Sequence, residues 1–268
     1  MDRPSAPPIS FEFYAVTDRG RVRSNNEDSV AVDEGASLAI LADGMGGYNA
    51  GEVASGMATA FIRSELGRWL TEATPQVTDV DVRRAMDICV DNANRAIFNA
   101  ANSNPQYTGM GTTLVVGVFR GARLMLGHIG DSRAYRWRAG RLTQLTRDHS
   151  LLQEQIDAGL ITPEQAATSA HKNLVTRAVG VEDVVLLETH LHAVLPEDWY
   201  LMCSDGLSDM LEDDEMGALL AQHATLDDAA NALVVAANEA GGRDNIAVVL
   251  VAARGGSVTT RSWWPFKR

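Results

Sequence analysis

Short apolar runs, either continuous or alternating with polar residues, recur along most of the chain. Most are rich in β-branched residues and are bounded by Gly, Asp or Asn, which is typical of β-strands joined by tight turns. The pattern predicts strands over residues 11–16, 38–42, 113–119, 123–129, 134–138, 184–190, 199–203 and 246–252.

Other stretches carry apolar residues at helical spacing. Residues 53–61 and 82–97 have an apolar residue at every third or fourth position, and the two predicted helices separate near Thr74–Pro75. A further helix is predicted over residues 226–239, because Gly241–Gly242 is a typical helix stop signal. Groups of strands with helix pairs between them favour a layered α+β architecture over the strict alternation of a parallel sheet.

The chain is long enough for one buried core, since it has 268 residues of which 46% are hydrophobic. We therefore expect a single domain over residues 11–254, with an N-terminal tail at 1–10 and a C-terminal tail at 255–268. The segment from about 150 to 181 has a weaker hydrophobic pattern. It contains Thr162-Pro163-Glu164-Gln165, a capping box that starts a short helix. This segment is interpreted as an insertion that lies over the domain.

The C-terminal tail has no helical or strand periodicity. Our hypothesis is that the tail carries a small docking element, formed by Trp263, Trp264 and Phe266 next to Lys267 and Arg268.

Charge and cysteine content exclude several classes of protein. The formal net charge of −12 argues against nucleic-acid binding, which depends mainly on Lys and Arg. Cys89 and Cys203 both lie among apolar residues, as unpaired core cysteines do, so no disulfide framework is expected. No apolar run has the length of a signal peptide or a membrane span, and a cytoplasmic location is expected.

Acidic residues lie directly beside several predicted strands. Asp43, Asp131 and Asp205 follow strands, Asp244 precedes one, and Glu27–Asp28 comes after the first strand. One Asp beside a strand is ordinary turn chemistry, but this set could converge at one edge of a sheet. Converging carboxylates need cations, and an all-oxygen set suits Mg²⁺ or Mn²⁺. The sequence shows no His/Cys cluster at zinc-site spacing.

Seven short motifs resemble, in the same order, those of the PPM family, the type 2C protein phosphatases, and in particular its compact bacterial branch. The resemblance covers about residues 11–253, which is nearly the whole chain. They are GRVRSNNED at 20–28, ADGMGG at 42–47, GTT at 111–113, GDSR at 130–133, LTRDHS at 145–150, SDGL at 204–207 and GRDN at 242–245.

The resemblance implies an α+β fold, a four-layer α-β-β-α sandwich with two antiparallel sheets flanked by helix pairs. It also implies a protein serine/threonine phosphatase that hydrolyses phosphoserine and phosphothreonine by attack of a water bridging two divalent metals, Mn²⁺ or Mg²⁺. The partners implied are phosphorylated proteins, including a cognate bacterial Ser/Thr kinase and its substrates. We expect a monomer.

The resemblance also assigns the metal ligands. Asp43 would bridge the two metals, and the Gly44 carbonyl would complete one of them. Asp205 and Asp244 would hold the other metal. Either Glu27 or Asp28 would act directly or through water. Asp131, with Asp205 and the nearby Asp209, resembles a weaker third-metal site.

Arg23 matches the phosphate-binding arginine of the family, and its planar guanidinium can hold two phosphoryl oxygens at once. In many eukaryotic members a histidine, proposed as the general acid, follows the metal-bridging Asp-Gly, whereas Met45 stands there in this chain. His128 and His149 are the remaining candidates for protonating the leaving alkoxide, and a structural role is the stronger interpretation for both.

The 150–181 insertion corresponds to the flap beside the cleft in this family. Our hypothesis is that the flap controls access for the phosphorylated loop of a partner protein, and that a third cation at Asp131 couples flap position to the site.

The alternative from another class is a catalytically silent PPM-fold regulatory binding module. Such modules usually lose a metal aspartate or the arginine, yet this chain keeps Arg23, Asp28, Asp43, Asp205 and Asp244. A dinucleotide-binding loop is disfavoured because Asn49 stands in place of the third glycine. A cysteine phosphatase is disfavoured because Asp209, not arginine, stands six positions after Cys203.

Overall fold

Two antiparallel β-sheets form the centre of the fold. The computed structural model describes residues 9–47, 50–74, 76–162, 165–166 and 174–255. One sheet has the strand order β1-β11-β10-β7-β8, and the other has the order β2-β3-β5-β6-β9 with β4 paired to β3. The strands are β1 Ile9–Asp18, β2 Asp28–Asp33, β3 Leu38–Met45, β4 Gly111–Thr112, β5 Leu114–Arg120, β6 Arg123–Ile129, β7 Arg133–Arg138, β8 Arg141–Gln144, β9 Glu188–Ala193, β10 Trp199–Cys203 and β11 Ile246–Gly255.

Helices cover the outer face of each sheet. The described helices are α1 Ala50–Glu72, α2 Asp79–Ser103, α3 Leu151–Asp157, α4 Asp205–Ser208, α5 Asp213–Gln222 and α6 Leu226–Glu239, with a short 3₁₀ turn at Pro105–Tyr107. Buried side chains of α1 and α2 pack on the β2-β3-β5-β6-β9 sheet, and those of α5 and α6 pack on the other sheet. The fold is therefore the predicted four-layer α-β-β-α sandwich.

A third apolar cluster fills the space between the two sheets. Phe119 on β5 lies at its centre, with ring centroids 5.0 Å from Phe11, 5.8 Å from Phe13 and 5.4 Å from Tyr200. Phe119 and Tyr200 are almost completely buried. Aromatic side chains of this size supply much of the apolar area that holds two sheets together.

The predicted elements agree with the structure where hydrophobic runs are long. Strands at 123–129 and 199–203 and the helix at 226–239 have the predicted bounds, whereas β2, β8, α3 and α5 were not predicted. The prediction of a strand over 184–190 is wrong at its start, since β9 begins at Glu188. In the ladder, Glu188 pairs with His128, one residue before β6 ends at Ile129, so residues 184–186 extend beyond the strand with which they would pair.

Most of the described part of the insertion lies outside the three core clusters, and Val179, near its end, is the member that is buried in the cluster under α1 and α2. Helix α3 has no buried residue. The capping box is present, because the Thr162 N–H donates to Gln165 Oε1 at 2.8 Å and the Gln165 N–H donates to Thr162 Oγ1 at 3.3 Å. The remaining insertion residues 163–164 and 167–173 lie outside the described residues, as do residues 1–8 and 256–268 of the predicted tails.

The structure also bears on the two cysteines and on the expectation that no segment spans a membrane. Cys203 is buried, Cys89 is half-buried, and both are unpaired. Within the described ranges, no helix combines the length and the apolar character that crossing a membrane requires.

Replacing Phe119 by alanine should lower the free energy of unfolding by about 3–5 kcal/mol, because it leaves a cavity between the sheets. Urea denaturation followed by circular dichroism measures this change. Val80→Ala is the control, since Val80 is 75% exposed on α2 and its loss should cost less than about 1 kcal/mol. Similar losses for both variants would contradict this account of the inter-sheet core.

Candidate metal centre

Aspartates from both sheets meet at one end of the sandwich. Asp28 begins β2 and stands opposite Asp43 of β3 in the antiparallel ladder. Asp205 begins α4 directly after β10, and Asp244 lies just before β11, the strand paired with β10. The Ser204 hydroxyl donates to Asp28 Oδ2 at 2.7 Å and so connects the two pairs. The four aspartates that the sequence singled out at these positions thus lie together.

Two glycines allow the chain segments around the aspartates to approach closely. A Cβ atom on Gly44 would lie 2.1 Å from the Gly51 carbonyl oxygen and 2.5 Å from that of Glu27. A Cβ atom on Gly206 would lie 1.9 Å from the Asn245 carbonyl oxygen. Only glycine fits at either position, and this packing brings the Glu27 and Gly44 backbones together.

The backbone of Asp43 is held by the Thr112–Thr113 pair. The Asp43 N–H donates to Thr113 Oγ1 at 3.0 Å, and the Asp43 carbonyl accepts from the Thr113 N–H and the Thr112 hydroxyl, each at 2.8 Å. These hydrogen bonds use the main-chain groups of Asp43 and leave its carboxylate available to the site.

Asn245 connects the loop after β1 to the aspartates, a role that sequence reasoning missed. Its Oδ1 accepts from the Glu27 N–H at 2.8 Å, and its Nδ2 donates to the carbonyls of Arg19 at 2.9 Å and Asn25 at 2.8 Å. The sequence signal for this role is a polar amide between Asp244 and the apolar start of β11. Such a residue is buried only when its hydrogen bonds are satisfied.

Arg23 reaches the edge of the aspartate cluster from this same loop. Its Nη2 donates to Asp244 Oδ2 at 2.6 Å, and the side chain is 52% exposed. The guanidinium is therefore both anchored at the site and accessible from solvent.

The charges of the clustered aspartates favour bound cations. Burial raises the pKa of Asp43 and of Asp205 well above the usual value, and neighbouring aspartates raise each pKa further. Burial likewise raises the pKa of Asp28 to about 7, and its Oδ1 is buried without a hydrogen-bond partner. An unpaired buried carboxylate oxygen among other carboxylates fits a hard divalent ion such as Mg²⁺ or Mn²⁺.

The two remaining acidic positions of the predicted site differ in their surroundings. Asp131 follows Gly130 after β6 and lines a small cavity of about 30 Å³ together with Asp205 and Asp209. Burial, followed by the charge of Asp148, raises the pKa of Asp131 to about 6. Burial also raises the pKa of Glu27, which lies near Arg23 and Asp244.

A histidine–carboxylate cluster that was not expected from the sequence lies next to the Gly130–Asp131 turn. His128, His149 and Glu188 each place a ligand atom within 4.8 Å of the others. The two rings stack with centroids 4.6 Å apart. Their wide separation along the chain explains why local spacing could not reveal the cluster. Both histidines are buried, so neither presents a proton donor at the solvent-exposed cleft.

A two-sheet sandwich with aspartates from both sheets at one end defines the class of metal-dependent phosphatases. The chain belongs to the protein phosphatase 2C family, whose model matches residues 18–247. It is 38% identical over 238 residues to the serine/threonine phosphatase stp of Listeria monocytogenes, covering 88% of this chain and 93% of the relative.

Solved structures agree with this assignment. The serine/threonine phosphatase PstP/Ppp of Mycobacterium tuberculosis matches with a TM-score of 0.83 at 38% identity, covering 92% of this chain and 99% of that one. A structure of the PstP catalytic domain in complex with two manganese ions matches with a TM-score of 0.81, at the same identity and coverage.

Replacing Asp205 by asparagine should raise the melting temperature in excess EDTA, because one of several repelling carboxylates is removed. The same variant should lose most of the melting-temperature increase that Mn²⁺ gives the wild type, which scanning fluorimetry measures. Glu34→Gln, in the exposed β2–β3 turn, is the matched control and should behave as wild type. An undiminished Mn²⁺ response in Asp205→Asn would contradict the assignment of this carboxylate.

Proposed function

We infer that this protein is a metal-dependent protein serine/threonine phosphatase, which hydrolyses phosphoserine and phosphothreonine in proteins with two divalent ions, Mn²⁺ or Mg²⁺. The observation that carries this function is the cluster of Asp28, Asp43, Asp205 and Asp244 at one end of the sandwich. Burial raises the pKa of Asp28, Asp43 and Asp205, and carboxylates held together in this way need cations to offset their charge. The family assignment and the two manganese ions of the related PstP structure support the same function.

Each acidic residue has a proposed role in holding the ions. The charges of the other aspartates all act on Asp43, which is proposed to bridge both ions, with the Gly44 carbonyl as a further ligand. Asp205 and Asp244 would hold one ion, and Asp28 or Glu27 would act directly or through water. Bound divalent ions supply a nucleophile by lowering the pKa of a shared water, and they offset the charge of the phosphoryl group.

Arg23 is proposed to bind the phosphoryl group. Its side chain is half exposed and is held at the site by Asp244, so the guanidinium is oriented before substrate arrives. A planar guanidinium can donate two parallel hydrogen bonds to phosphoryl oxygens. Arg23 would thereby supply local positive charge for the substrate on a chain with an overall net charge of −12.

The surface beside the aspartates supports a protein substrate. Met45, two residues beyond Asp43, lines a groove of about 470 Å³ together with residues of the 175–186 segment. Val184 and Leu186 are 57% and 74% exposed there, and exposed apolar groups of this kind are typical of protein-binding surfaces. We propose that the 150–181 insertion is a flap that admits phosphoprotein loops here.

The family context extends this proposal to the cell. We propose that the phosphatase acts in the cytoplasm as a monomer and opposes a cognate Ser/Thr kinase by dephosphorylating the kinase and its substrates.

Asp43→Asn should lower turnover of a phosphothreonine peptide by at least about 100-fold, because Asp43 is proposed to hold both ions. A loss of this size exceeds the loss typical of residues that only support a metal ligand. Phosphate release from the peptide, with Mn²⁺ present and with excess EDTA, is the direct measurement. EDTA should abolish wild-type activity and Mn²⁺ should restore it. A wild-type protein that binds Mn²⁺ without any turnover would instead support the silent binding module.

Arg23→Ala should raise KM for the phosphopeptide by about 10-fold or more, because a charge-assisted bidentate contact to phosphate is lost. A further fall in kcat is expected if the contact strengthens in the transition state. Steady-state kinetics at saturating Mn²⁺ separates the two effects. Arg141→Ala, an exposed arginine on β8, should leave both constants unchanged. Unaltered constants for a folded Arg23→Ala would remove Arg23 from the site.

A further inference from the structure

His149 holds both main-chain polar groups of Gly130, the residue before Asp131. The His149 N–H donates to the Gly130 carbonyl at 2.9 Å, and the Gly130 N–H donates to His149 Nδ1 at 3.1 Å. Gly130 has φ +100°, and a Cβ atom there would lie 2.7 Å from the Thr113 side chain. The turn that presents Asp131 to the metal cavity is thus fixed from one side by His149 and from the other by Thr113.

These contacts determine which nitrogen of His149 carries the proton. A backbone N–H can only donate, so Nδ1 must present its lone pair to Gly130. Burial lowers the pKa of His149, with the charge of Arg177 also lowering it, and favours the neutral ring. In the neutral ring the proton is on Nε2, which lies 3.2 Å from Glu188 Oε2. Glu188 is therefore placed to accept this proton's hydrogen bond and to fix the tautomer.

The same tautomer argues against a metal ion bound among His128, His149 and Glu188. A metal would need the Nε2 lone pair of His149, but that nitrogen is protonated while Nδ1 is engaged by Gly130. Arg177 Nη1 lies 3.4 Å from the same Nε2 and adds a positive charge. The two rings also stack with an interplanar angle of 20°, so their in-plane lone pairs lie in nearly parallel planes and do not converge on one metal ion.

His149 also contacts the described part of the flap. Its carbonyl accepts from the Thr176 N–H at 2.8 Å, and the neighbouring Ser150 forms an isolated β-bridge with Val175. One residue therefore connects the Asp131 turn, the start of β9 at Glu188 and the 174–177 segment.

We propose that His149 is a positioning residue for the metal-dependent reaction: its Nδ1 fixes the Gly130 amide and thereby the Asp131 carboxylate at the cavity shared with Asp205. Glu188 supports this role by holding the tautomer. The proposal rests on the proposed function, in that Asp131 must serve as a metal ligand. In this proposal the His128–His149–Glu188 cluster supports a metal site and does not itself bind a metal.

Two amide substitutions separate the loss of the hydrogen bond from the Gly130 N–H from the loss of side-chain volume. His149→Asn places an amide oxygen near the Nδ1 position and can still accept from the Gly130 N–H, whereas His149→Gln places its amide near Nε2 and cannot. Titration with Mn²⁺, followed by the EPR signal of the free ion, measures each binding site without reference to turnover. We expect His149→Gln to weaken the weakest Mn²⁺ site by about 10-fold or more and His149→Asn by less than about threefold.

Asp131→Asn provides the double-mutant test. In that background His149→Gln should produce no further change in Mn²⁺ binding, because the carboxylate that it positions is gone. Glu188→Leu is the milder variant if His149→Gln does not fold, since Glu188 is partly exposed, and it should weaken the same site by about threefold or more. Glu188→Gln keeps an acceptor and should bind Mn²⁺ as the wild type does.

Equal Mn²⁺ binding by the Asn and Gln variants of His149 would overturn the positioning role. So would a full effect of His149→Gln in the Asp131→Asn background. Absence of any Mn²⁺ binding by the wild type would refute the proposed function together with this inference. Normal binding at the two tighter sites, with no weaker site for His149→Gln to affect, would refute the inference alone.

Discussion

Mutual repulsion among buried aspartates is the constraint on which the rest of the structure depends. Burial, and after it the charges of neighbouring aspartates, raises the pKa values of Asp28, Asp43 and Asp205 above the usual range. Without cations, ionising all of them costs free energy that the surrounding fold must supply. The cluster is therefore informative about function, since no contribution to stability explains it.

The fold supplies that free energy through rigid apolar layers and positions the aspartates through hydrogen bonds to their main chain and side chains. Three apolar clusters hold the two sheets and their helices together. At the site, Thr113 holds the Asp43 backbone, Ser204 bonds Asp28, and Asn245 connects the loop after β1. His149 extends the same principle to the Asp131 turn. The Asp43 carboxylate thereby stays available for ions. Asp28 Oδ2 accepts from Ser204, and the two Asp244 oxygens accept from Arg23 and from the Asn245 N–H.

Many of the strands and helices, and the aspartates beside them, could be predicted from sequence because they depend on local patterns, whereas the four-layer sandwich was implied by the family resemblance. Hydrophobic spacing predicts the apolar strand at 199–203 and the helix at 226–239, and Asp205 and Asp244 are each separated from a strand by one residue. The cluster of His128, His149 and Glu188 could not be found in this way, since three different segments contribute to it. Asn245 was missed because its partners, Glu27 and Asn25, are distant in sequence. The start of β9 depended on where its neighbour β6 ends.

The most direct test of the account is a crystal structure grown with Mn²⁺, with an anomalous difference map collected at the manganese absorption edge. The account predicts two strong peaks among Asp28, Asp43, Asp205 and Asp244, and any weaker third peak beside Asp131. It predicts no peak between His128, His149 and Glu188. Absence of density among the four aspartates, or manganese bound only at the histidine cluster, would contradict the central claim that the aspartates form the metal centre.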